Sequence, residues 1–123
     1  MNSESQTLAR DETSEMISSA KVEGTPVYGR DGEKRGTIDH FMVGKRDGRV
    51  RYAVMSFGGL FGMGENYHPL PWDQLTYDES QGGYSVSLDQ EKLKNSPSYR
   101  RDQEPRYDRE YNRGVYGYFG STF

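Results

Sequence analysis

Apolar residues in this chain come in short runs separated by turn residues, not in long helical stripes. Val27-Tyr28 is a brief apolar pair, and Gly29-Arg30-Asp31-Gly32-Glu33 after it is turn chemistry. Residues 36–44, GTIDHFMVG, read as a strand whose alternation breaks. Ile38 falls in one phase, Phe41 and Val43 in the other. A single β-bulge near Asp39-His40 would put all three on the core side. Asp47-Gly48 predicts a hairpin turn, because the pair tolerates the positive φ of a type I′ turn. Arg49 to Phe57 is the strongest strand in the chain. Val50, Tyr52 and Val54 share one face, and Ala53, Met55 and Phe57 share the other. Both faces are apolar, so this strand is central and covered twice. A chain end, a second subunit or a partner must supply the second cover.

The pattern then loosens. Gly58 to Gly64 interleaves glycine with Leu60, Phe61 and Met63. Pro69 and Pro71 lack N–H groups, so Tyr67 to Trp72 is predicted as an edge strand or extended segment. Leu75 to Tyr77 makes a short strand, and Tyr84, Val86 and Leu88 alternate as the last one. Asp89 can N-cap a short helix over 90–95 that turns Leu93 inward, and Ser96-Pro97 stops it. Short strands, frequent turns and one small helix predict an all-β fold, a barrel or roll. Residues 1–15 are expected to be a disordered leader, with order beginning near Met16-Ile17. Residues 100–123 are expected to be a disordered or loosely docked tail. There Arg100, Arg101, Arg106, Arg109 and Arg113 lie among tyrosines, which suits cation–π or stacking contacts.

Composition narrows the function classes. The chain has 123 residues, 32% of them hydrophobic, and a mean hydropathy of -1.02. That fits one domain with a compact centre and solvated ends. The net charge is -3, and no zone is basic enough to mark a nucleic-acid phosphate track. There is no cysteine, which favours the cytoplasm. No apolar run approaches the ~20 residues of a membrane helix, and the first residues lack a signal-peptide core. Direct membrane insertion is therefore not expected.

Catalytic chemistry is sparse. His40 and His68 are the only histidines. His40 follows Asp39 in a strand, where neighbours point to opposite faces, so a His–Asp pair is not expected. Ser56 lacks the glycines and following helix of a nucleophile elbow. The glycine run 58–64 lacks the Gly-Lys-Ser/Thr ending of a phosphate loop. No catalytic residue, metal site or cofactor site is assigned. The glycines instead allow a tight reversal while Leu60, Phe61 and Met63 seek cover, either in the core or on another chain.

Three segments carry a resemblance: VEGTPVYGRDGEKRGTI at 22–38, YAVMSFGGLFGMGENYHPLPW at 52–72 and GGYSVSLDQEKLKNSPSY at 82–99. Together they make residues 16–99 resemble a PRC-barrel domain. That family includes the cytoplasmic domain of the photosynthetic reaction centre H subunit and the ribosome maturation factor RimM. The resemblance implies a small PRC-type β-barrel with one short C-terminal helix and flexible tails. In that family acids often follow the Gly-x-Ile strand, and here His40 and Gly44 stand in those places.

The resulting expectation is a non-enzymatic protein-binding or adaptor module with Phe57, Leu60, Phe61, Met63, Tyr67 and Trp72 as partner contacts. A homodimer is one form of it, since self-association would cover the second strand face. An RNA-processing or ribosome-assembly accessory is the alternative, implied by the resemblance and by the arginine-tyrosine tail, although the weak tail charge limits phosphate binding. An accessory of photosynthetic electron transfer is a second alternative that only the resemblance suggests.

Overall fold

A computed structural model of the chain describes residues 12–58 and 65–123. The described elements are α1 (Ser19–Val22), β1 (Pro26–Tyr28), β2 (Lys34–Val43), β3 (Val50–Gly58), β4 (Glu65–Pro71), β5 (Leu75–Asp78), β6 (Gly83–Val86), α2 (Gln90–Lys94), β7 (Tyr99–Arg100) and α3 (Arg109–Tyr118). The strands form one sheet in the order β5-β6-β1-β2-β3-β4-β7. The expected closed barrel is corrected to an open sheet with β5 and β7 as edges. The two-residue β7 pairs only with Asn66 and Tyr67. It stops short of Pro69 and Pro71, which have no N–H to offer a further strand. The chain then leaves β4 through a 3-10 turn at Trp72–Gln74.

The bulge in β2 lies where the alternation breaks, but it does not bring all three apolar residues to the core: Ile38 is buried and Phe41 half-buried, whereas Val43, past a second register shift at Met42/Val43, is exposed. The β2–β3 register shifts between Ile38 and His40, leaving Asp39 as the extra residue. Gly36 lets these strands approach closely, because a Cβ there would run into the Ser56 carbonyl and the Met55 side chain. The hairpin reversal is wider than a two-residue turn. The Gly44 N–H donates to Arg49 O, and the Gly48 N–H donates to Gly44 O, with Gly48 at φ 70.

Strand β3 is central, between β2 and β4, and Tyr52, Ala53, Val54 and Met55 are all buried. Ala53 aligns with Phe41 and Leu70. On that side Trp72 packs edge-on against Phe41 at 5.2 Å and tilted against Tyr84 at 5.5 Å. Helix α2 is capped by Asp89, which accepts from the Lys92 N–H at 2.8 Å, and it buries Leu93. Burial of such an aliphatic side chain contributes about 1.5–3 kcal/mol.

The chain's own end covers the opposite face of β3. Tyr52 rings with Tyr107 and Tyr116, each at 5.3 Å, and its hydroxyl donates to Asn112 Oδ1 at 2.8 Å. Residues 100–123 thus differ from the loose tail expected of them. Asp108 caps α3 by accepting from the Tyr111 N–H. Val115, Tyr116 and Phe119 are buried, and the Tyr118 hydroxyl donates to Lys92 O. At the other end Glu12, ahead of the expected start of order at Met16-Ile17, is held in the fold. Glu12 bridges to Ile17, accepts from the Tyr77 hydroxyl at 2.8 Å and pairs with Lys21 at 2.7 Å.

Candidate functional site

The wide β2–β3 hairpin and the docked C-terminal segment enclose a groove of about 820 Å³. Its apolar walls are Met42, Val43, Tyr52, Tyr107 and Phe123, and its cations are Lys45, Arg46, Arg51 and Arg109. Val43 and Phe123 are 49% and 46% exposed, two of the three exposed large hydrophobics among the described residues, with Met16 the third, and the groove brings these two together. Asp47 is the one carboxylate among the lining side chains, and it is already engaged. It accepts from the Arg49 N–H at 3.0 Å and pairs with Arg51 at 3.1 Å. The Arg49 N–H, together with Arg51, holds its carboxyl below the usual range. Among the described residues Lys45, Arg46 and Arg109 have no carboxylate within ion-pair distance. The groove therefore combines an apolar floor with three uncompensated positive charges.

The floor is rigidly made. The Asn112 Nδ2 donates to Tyr107 O at 3.2 Å while its Oδ1 accepts from Tyr52, so one buried amide joins sheet, connector and helix. Tyr107 stacks edge-on with Tyr111 at 5.3 Å. Burial raises the phenol pKa of Tyr52, Tyr107 and Tyr111, the last to about 12. All three stay neutral at physiological pH and leave the cations uncancelled. The Arg51 guanidinium lies 5.2 Å from the Phe123 ring centroid, which holds that ring at the groove edge.

The residues expected as partner contacts do not gather here. Leu60, Phe61 and Met63 lie outside the described residues. Phe57 is half-buried, with its ring 5.8 Å from His68. Tyr67 is only 3% exposed. It stacks on Tyr99 at 5.7 Å and its hydroxyl accepts from Arg101, so it offers almost no free surface. Trp72 is half-buried between Phe41 and Tyr84. Part of the groove's charge was signalled by the run 45–51, KRDGRVR. That local excess vanishes when charge is averaged over longer zones.

Two other polar groupings bear on chemistry. His68 is buried, and its Nδ1 lies 2.9 Å from Ser96 Oγ. Ser96 Oγ donates to Leu93 O at 2.7 Å, so it must accept from the imidazole N–H. The serine proton is held by a carbonyl and the histidine cannot remove it. Burial pushes the His68 pKa down. Asp39 and His40 correct the expectation that they point apart: Asp39 Oδ2 meets His40 Nδ1 at 2.7 Å. The bulge that repairs the hydrophobic phase also cancels the alternation between these two. Ser56 pairs with Thr37 across the strands at 3.1 Å. Among the described residues no cluster of histidines and carboxylates could hold a metal ion, and no helix is long and apolar enough to cross a membrane.

Comparison with known proteins places this architecture. The PRC-barrel domain family matches residues 14–92. The chain belongs to the PRC-barrel family. A relative from Deinococcus radiodurans, itself an uncharacterized protein, is 32% identical over 80 residues. That match covers 65% of this chain and 28% of the relative, so this chain spans less than a third of the curated relative it matches. Among solved structures, a putative 16S ribosomal RNA processing protein RimM from Pseudomonas aeruginosa is similar at 22% identity and a TM-score of 0.41. That similarity covers 68% of this chain and 50% of the other. The PRC-barrel match ends at residue 92. Met42 to Tyr52 in the groove therefore belong to the domain, whereas Tyr107, Arg109, Asn112 and Phe123 lie beyond it.

Proposed function

We propose that this PRC-barrel protein is a non-enzymatic protein-binding module whose contact surface is the hairpin–tail groove. The observation that carries this reading is the meeting of exposed Val43 and Phe123 with three unpaired cations over an apolar floor. Apolar contact supplies affinity and the charges supply orientation and rate. The committed protons of His68 and Ser96 agree with a binding role. The cysteine-free sequence suits work in the cytoplasm. Self-association through the same groove is the homodimeric form of the proposal.

Affinity capture from a lysate of the native host, with light scattering on the purified chain, tests it. A stoichiometric partner or a dimer, lost on Val43→Asp, is the expected outcome. Val43 is exposed, so this change spares folding. A monomer with no captured partner would sink the adaptor reading.

A further inference from the structure

We infer that the groove takes an acidic peptide segment, extended and interspersed with aliphatic side chains. The inference rests on the protein-binding reading and names the chemistry of the partner. Lys45 and Arg46 project from the β2–β3 turn, and Arg109 opens α3 on the other wall. Their charges come from two chain segments and face one trough, where a low-dielectric floor strengthens their field. A chain with several carboxylates spaced by Leu or Val side chains matches both features at once. Its carboxylates meet the rim, and its aliphatic groups meet Met42, Val43 and Phe123.

The geometry disfavours nucleic acid in the same place. Base stacking needs open ring faces. Tyr52 and Tyr107 are turned onto each other and onto Tyr111 and Tyr116. Phe123 has Arg51 against its ring and Tyr116 edge-on at 4.9 Å. A small inorganic anion would leave the apolar floor uncovered.

Fluorescence anisotropy on the full chain tests the inference with three labelled probes. They are a flexible peptide of Asp, Glu, Ser and Leu, its counterpart with Lys for each acid, and oligouridylate of equal length. The acidic peptide should bind and the lysine peptide should not. Lys45→Glu/Arg46→Glu/Arg109→Glu should weaken the acidic peptide at least about tenfold, since each pair reversed at the rim affects affinity and on-rate. Arg46→Lys/Arg109→Lys should retain binding, because charge and not fork geometry is required. All three positions are exposed or at the turn, and an unchanged melting temperature shows that the triple variant folds. Equal binding of both peptides, tighter binding of oligouridylate, or an unaffected triple variant overturns the inference. If a lysate partner is captured equally by wild type and triple variant but is lost on Val43→Asp, the acidic-peptide inference falls and the adaptor reading stands. If neither peptide nor partner binds, both fall.

Discussion

The Tyr52–Asn112 hydrogen bond fastens the C-terminal segment to the sheet, and a double-mutant cycle measures it. The bond is 2.8 Å long, between residues 1% and 7% exposed. Asn112→Ala strands the Tyr52 hydroxyl away from water, which costs about 1–3 kcal/mol. It also removes the donor to Tyr107 O, so its cost lies in the upper part of that range. Tyr52→Phe keeps the ring contacts with Tyr107 and Tyr116 and strands only the Asn112 oxygen, costing about 1–2 kcal/mol. Tyr52→Phe/Asn112→Ala leaves neither group orphaned at this bond. Its cost should fall short of the sum by about 1 kcal/mol or more. Urea unfolding followed by circular dichroism gives the four free energies, and hydrogen exchange of the α3 amides shows whether the loss is local. Costs that add within about 0.3 kcal/mol would refute the coupling. So would an Asn112→Ala change costing less than about 0.5 kcal/mol, since a buried bond of this kind cannot be that cheap to orphan.

Three further outcomes follow from other parts of the fold. A Cβ on Gly114 or Gly117 would meet nothing within 4 Å. Replacing both with Ala should therefore stabilise α3 by about 1–2 kcal/mol in total. The gain is read as a higher melting temperature and slower α3 exchange, and no gain would mean these glycines do more than weaken the helix. Gly36→Ala should destabilise by about 1–3 kcal/mol through forced separation of β2 and β3. A neutral result in urea unfolding would show that the strands have room. Burial lowers the His68 pKa from its ordinary 6.5, so the unfolded chain binds the proton more readily than the folded one. Stability should then be full above about pH 6.5 and fall as pH drops toward the folded value. His68→Gln should flatten that decline, and an unchanged pH profile would place the titrating group elsewhere.

Much of the sheet was legible in the sequence because strand signals are local. The broken phase of Ile38 against Phe41 and Val43 located the bulge, and two apolar faces on residues 49–57 placed that strand in the middle. Asp89 announced its helix. Closure was not legible, because it depends on whether one edge finds another, and Pro69 and Pro71 deny it one. The tail misled for a different reason. Residues 111, 112, 115, 116 and 119 have helical spacing, but arginines and glycines between them lower the average hydropathy to that of a solvated segment. The Asp39–His40 contact needed a consequence of the bulge beyond hydrophobic phase. The groove was least legible, since its charges lie at 45–51 and 109 and only the fold brings them together.

Because the groove is made jointly by the PRC-barrel domain and the segment beyond it, binding there must be coupled to docking of α3. Tyr116 shows how. Its hydroxyl donates to Arg51 O at 2.6 Å and its ring packs on Tyr52, yet it is not a wall of the groove. Tyr116→Ala removes a buried aromatic anchor, a change that costs about 3–5 kcal/mol in a core and more than a short helix with two glycines can absorb. The segment should then undock in a large fraction of molecules. An acidic peptide that needs Arg109 and Phe123 beside Lys45 and Arg46 would find its site dispersed, and its apparent affinity would fall by the docked fraction. The reverse must also hold. Peptide at about 100 times its dissociation constant should protect the docked form by about 2.7 kcal/mol, visible as slowed exchange of the α3 amides. Unchanged peptide affinity in Tyr116→Ala, with α3 shown by exchange to be open, would mean that the hairpin alone binds and that the tail serves only as a cover for β3.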